Sequence, residues 1–117
     1  MTATAEATAP SLFERIGGTE GVRTVVERFY DLMQDDPRYA PLRAMHEEDL
    51  FPMRVSLTQF LSAWLGGPRD WFEARPGTCI MSMHRAMGIT PETAAQWVEA
   101  MSRALADARP TYGKAKP

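Results

Sequence analysis

The chain has 117 residues, a length that suits one domain, with 44% hydrophobic and 24% charged residues, the balance of a globular protein. A formal charge of -2 and the lack of a basic stripe argue against nucleic acid as a partner. No apolar run reaches the roughly eighteen residues a membrane helix needs, and a lone cysteine, Cys79, rules out an intrachain disulfide and fits a reducing compartment.

Residues 1–10 read as a loose tail, without the basic start and apolar stretch of a secretory signal, so a cytoplasmic location is expected. Ser11 and Glu14 have the spacing of a capping box and predict a short helix, which Gly17-Gly18 breaks. From Thr19 to Met33, Val22, Val25, Val26, Phe29, Tyr30 and Met33 recur at three- and four-residue steps, one apolar face of a helix. Asp35-Asp36-Pro37 ends it. Pro41 to Asp49 is a short helix or turn. A longer helix is predicted from about Phe51 to Leu65, with Met53, Leu57, Phe60, Leu61 and Trp64 on one face and Gly66-Gly67-Pro68 as its stop.

Residues 69–78 read as a loop, and Cys79 to Met87 as a short helical stretch closed by Gly88. Thr90 and Pro91 open the last helix as N-cap and first residue. It is expected to run to about Ala108, with Ala94, Trp97, Val98, Met101 and Leu105 on one side, before Arg109-Pro110 breaks it. No strand pattern stands out, so the fold class is all-α. The expected domain is 11–109, between tails at 1–10 and 110–117.

Few residues advertise chemistry. The two histidines, His46 and His84, lie in no zinc-binding spacing. No phosphate loop, nucleophile elbow or protease signature is present. His84 stands among Ile80, Met81, Met83 and Met87. A histidine there is either a structural residue or an axial ligand of haem iron, which needs an apolar, Met-rich surrounding and only one or two protein ligands. Eight methionines and three tryptophans suit either an ordinary core or a pocket for a large flat ligand.

Several motifs then fall into one order. The run Leu12-Phe13-Glu14-Arg15-Ile16-Gly17-Gly18, the segment Arg28-Phe29-Tyr30, the stop Trp64-Leu65-Gly66-Gly67-Pro68, His84, and Trp97 thirteen residues later resemble the truncated haemoglobins, in their group II form. The resemblance covers Leu12 to Ala108. It implies a globin-like two-over-two helical sandwich holding haem b. It implies His84 as the proximal iron ligand, with Tyr30 and Trp97 donating hydrogen bonds to a bound oxygen. His46 matches a distal position, as a donor or as a second iron ligand, with the donor role favoured. Met53 and Leu57 match positions facing the haem, with Phe60 and Leu61 nearby; Met83 adjoins the proximal ligand and Trp71 covers the haem edge. Dioxygen and other small diatomics are the implied ligands, with storage, sensing and peroxide or nitric oxide chemistry left open. The other class of reading is a cofactor-free helical interaction module of globin shape.

The sequence departs from the family twice. The usual basic residues before the proximal histidine are missing, leaving Arg54, Arg75 and Arg85 as replacements for pairing the haem propionates. The usual final helix has no counterpart in the nine residues after Ala108. A homo-oligomer covering the open face, weak haem affinity, or a longer parent chain is the expected consequence.

Overall fold

The computed structural model describes residues 10–77, 84 and 87–113, with side chains to Ala108. It is helical throughout, and no strand occurs among the described residues. Helix α1 (Leu12–Ile16) begins at Ser11, whose hydroxyl accepts from the Glu14 N–H while the Glu14 carboxylate accepts from the Ser11 N–H. Helix α2 (Gly18–Asp35) follows, then a 3₁₀ turn (Pro37–Tyr39), α3 (Ala40–Ala44), α4 (Phe51–Trp64), α5 (Asp70–Glu73) and α6 (Pro91–Gly113). No helix among the described residues is long and apolar enough to cross a membrane.

The core is built on α2, which packs most extensively on α6 and next on α4. Its buried side chains are those of the expected face: Val22, Val25, Val26, Phe29, Tyr30 and Met33, joined by Leu32. The facing side of α6 differs from the expected one. Thr93, Ala100, Met101, Ala104 and Ala108 are buried, and Trp97 is partly so, whereas Val98 is 60% and Leu105 38% exposed. Alanines at this seam let two backbones approach closely, which the larger side chains would prevent. Val98 and Leu105 lie on an open strip of α6.

Two further expectations are corrected. Residues 69–78 are not simply a loop: α5 forms within them and buries Trp71 against Phe60 and Phe72. Also, α6 does not stop at Arg109-Pro110 but continues to Gly113. Pro110 removes one donor, the partner of a carbonyl four residues earlier, and a loss so near a helix end does not stop the helix. The stretch from Cys79 to Met87 lies mostly outside the described residues; His84 itself is helical.

The ends of α1 and α4 are joined. The Phe13 N–H donates to the Leu65 carbonyl at 3.0 Å. Gly66 takes φ 103°, and a Cβ on Gly67 would lie 2.7 Å from Phe13 Cδ1. The double glycine thus serves both as a left-handed stop and as a seat for the Phe13 ring.

A polar cluster fixes the other end. Arg103 donates to the Asp36 carboxylate at 2.9 Å and to the Tyr39 hydroxyl at 3.0 Å, while that hydroxyl donates to Glu99 at 2.8 Å. The Gln96 side-chain oxygen accepts from the Leu42 N–H at 3.1 Å. Together they bind the 3₁₀ turn and α3 to α6. Hydrogen bonds from the Arg103 guanidinium, then from the Arg38 N–H, hold Asp36 below the usual carboxylate range.

Two outcomes are expected. Gly67→Ala should cost about 1–3 kcal/mol by crowding Phe13, and adding Phe13→Leu should recover part of that loss, both read by urea unfolding. A depressed folded-state pKa means that Asp36 stabilises the fold at neutral pH and loses that effect as pH falls below about 4. Asp36→Asn should therefore lower Tm at neutral pH and shrink the difference between melts at neutral and acidic pH; equal lowering at both would contradict the assignment.

Candidate functional site

The aromatic end of α2 organises the site. Phe29 and Tyr30 are adjacent, fully buried, and meet edge to face with ring centroids 4.9 Å apart. Phe29 also contacts Trp97 of α6, at 5.0 Å. Tyr30 faces His46, which lies just past α3, with ring centroids 6.0 Å apart and the planes near perpendicular. Two of the expected distal residues, Tyr30 and Trp97, thus flank Phe29, and the third, His46, meets the Tyr30 ring. Phe29, in the sequence a residue of the apolar face of α2, is the ring that joins Tyr30 to Trp97.

The Tyr30 hydroxyl hydrogen-bonds no described side chain, and burial pushes its pKa up to about 12, against a smaller lowering by Arg54. Tyr30 is therefore a neutral phenol at physiological pH, an O–H donor. His46 Nδ1 lies 3.0 Å from the Leu42 carbonyl oxygen. A carbonyl only accepts, so this contact places a proton on Nδ1. Nε2 takes no part in that contact and is the nitrogen through which His46 could donate, accept or bind a metal.

The apolar wall comes from α4. Leu57 and Leu61 pack on the core from its edge, and Met53 is 38% exposed. Phe60 turns toward α5, where its ring meets Trp71 at 5.2 Å. Trp71 Nε1 donates to Ser56 Oγ at 3.0 Å, which fixes the indole against α4. Trp64 does not share this wall: it is 68% exposed at the last turn of α4.

His84 is exposed and its carbonyl accepts from the Met87 N–H at 3.0 Å. Met83, Cys79 and Arg85 lie outside the described residues. Among the expected replacements for propionate pairing, Arg54 is excluded by its contacts: it turns inward, donating to the Glu27 carbonyl at 3.2 Å, to the Glu27 carboxylate, and to Asp31 at 3.0 Å. Arg75 instead stacks on Trp71, its guanidinium carbon 4.6 Å from the ring centroid. A groove of about 410 Å³ runs along α2 and α4, lined by Arg23, Glu27, Arg54, Thr58 and Gln59 among others. Apart from Arg54 it holds none of the expected site residues, and its charged lining does not suit a flat apolar group.

The remaining residues fit a haem in chemical kind. A histidine nitrogen suits its iron, an incompletely covered apolar helix face suits its ring, and a buried phenol suits a small ligand with partial negative charge.

Comparison with known proteins agrees with this arrangement. Residues 11–115 match the family model of the bacterial-like globins. Among solved structures, the chain is similar to a group II 2-on-2 hemoglobin from the plant pathogen Agrobacterium tumefaciens, at 31% identity and TM-score 0.82, over 86% of this chain and 78% of that one. A cold-adapted truncated hemoglobin from the Antarctic marine bacterium Pseudoalteromonas haloplanktis TAC125 is 30% identical, with TM-score 0.81 over 85% and 80% of the two chains. A hemoglobin from the thermophilic phototrophic bacterium Chloroflexus aurantiacus is 33% identical, with TM-score 0.76 over 86% and 80%. Helix order, the aromatic end of α2 and the double-glycine stop thus meet in one assignment, and the chain belongs to the bacterial-like globin family.

Proposed function

We propose that this globin binds one haem b with His84 as the proximal ligand and holds dioxygen, or another small diatomic, on the side lined by Tyr30 and Trp97. The observation that carries the reading is the run of rings in which Phe29 joins Trp97 to Tyr30 and Tyr30 meets His46. Haem, when bound, supplies a ferrous iron that takes up a diatomic gas reversibly.

The rest is the work of the chain. Met53, Leu57 and Leu61 offer an apolar surface that excludes water from the ring. Phe60 and Trp71 close its edge. Arg75, beside Trp71, offers a charge at that edge for a propionate. Tyr30 keeps its proton because it is buried, so its hydroxyl donates to a ligand of partial negative charge. The Trp97 indole N–H, which can only donate, adds a second bond. His46, with Nδ1 committed to Leu42, leaves Nε2 as the closing ligand or, in the protonated ring, as a further donor. In a dry pocket each donor bond contributes about 1–3 kcal/mol, enough to slow ligand loss roughly tenfold.

Titration of the purified protein with hemin should give a Soret band at a one-to-one ratio, and His84→Ala should abolish tight binding. Tyr30→Phe should leave haem bound and speed oxygen dissociation roughly tenfold, by stopped flow. A chain that stays colourless with hemin is a globin-shaped interaction module, and the reading is then wrong.

A further inference from the structure

What underlies Tyr30 is a fixed cation. Arg54, in the first turn of α4, places its guanidinium carbon 5.7 Å from the centroid of the Tyr30 ring. Its side chain is only 17% exposed. Four contacts define where it sits: the Tyr30 ring, the Glu27 carbonyl, the Glu27 carboxylate and the Asp31 carboxylate. Glu27 and Asp31 are spaced one turn apart on α2 and bracket Tyr30 in sequence. A planar fork of donors matches two such acceptors in one orientation, which a flexible ammonium would not. The two carboxylates are about half exposed, at 46% and 48%, so water screens them more than the cation they hold.

We propose that Arg54 is a positioning residue of the distal site, which fixes the plane of the Tyr30 ring and polarises its phenol so that the hydroxyl donates more strongly to the ligand. The inference rests on Tyr30 being the donor, as proposed above. The physical basis is twofold. A guanidinium near the ring face is attracted by the electron-rich π system and draws density from it. At 17% exposure, that charge acts across a lower dielectric than at the surface. The same fork ties α4 to α2, so Met53 and Leu57 are held at a set distance from Tyr30.

A purely structural staple predicts different behaviour, and a double-variant cycle separates the two. Oxygen dissociation is measured in the haem-loaded full chain for wild type, Arg54→Met, Tyr30→Phe and the double variant. Arg54→Met should speed dissociation about twofold to fivefold, the size of a cation–ring contact of this exposure. In the Tyr30→Phe background it should add nothing. Arg54→Lys, which keeps the charge and loses the fork, should fall between wild type and Arg54→Met. A second readout needs no haem: in the apoprotein labelled with carbon-13 at tyrosine Cζ, Arg54→Met should shift the Tyr30 resonance and Arg54→Lys should partly restore it. Equal acceleration by Arg54→Met in both backgrounds, or an unmoved Tyr30 resonance, overturns the proposal. If Tyr30→Phe alone leaves dissociation unchanged, the donor reading of Tyr30 fails instead. The carbon-13 result then still decides whether the cation acts on the ring.

Discussion

The close approach of α2 and α6 sets the geometry of everything else. Ala100, Ala104 and Ala108 bring the α6 backbone near Val22, Val25, Val26 and Phe29, and all of these side chains are buried. Because the seam is narrow, Trp97 reaches Phe29 at 5.0 Å, and Phe29 in turn meets Tyr30 at 4.9 Å. A larger residue at any of the three alanines would push the helices apart and separate the indole from the phenol. Aromatic rings packed edge to face resist such shifts, since interiors are close-packed and have few voids into which a ring can relax.

Two charged clusters bracket this aromatic centre. On one side Arg54 of α4 is held by Glu27 and Asp31 of α2. On the other, Arg103 of α6 is held by Asp36 and Tyr39, next to the segment that leads to His46. Each joins a different helix to the end of α2, so the three elements that present Met53, Tyr30 and His46 are linked by directional bonds as well as by apolar contact. Exposed ion pairs contribute little to stability. Their value in this fold is orientation: the Asp36 and Arg54 clusters sit where a small rotation of α3 or α4 would move a site residue.

Much of this was legible in the residues. The apolar face of α2, the capping box at Ser11 and the glycine stop at Gly66-Gly67 follow rules that act within a few residues, and all three are present. The inner face of α6 was misread because alanine carries a weak hydrophobic signal, so Val98 and Leu105 outweighed the residues that pack. Helix α5, at four residues, is too short to show any periodicity; the adjacent aromatics Trp71 and Phe72 were the available clue. The roles of Arg54 and the proton on His46 Nδ1 depend on partners brought by other elements or by the turn itself, which no local rule supplies. His84 as a haem ligand came from resemblance, since its neighbours alone fit a structural histidine equally well.

The account turns on which side of α4 a haem occupies. A crystal structure of the haem-loaded protein tests this most directly. The account requires the His84 imidazole bonded to iron, with the Tyr30 hydroxyl and Trp97 indole on the opposite face of the ring and Met53 and Leu57 against it. Iron held by any residue other than His84 on the proximal side, or Tyr30 and Trp97 out of reach of the distal ligand, would contradict it.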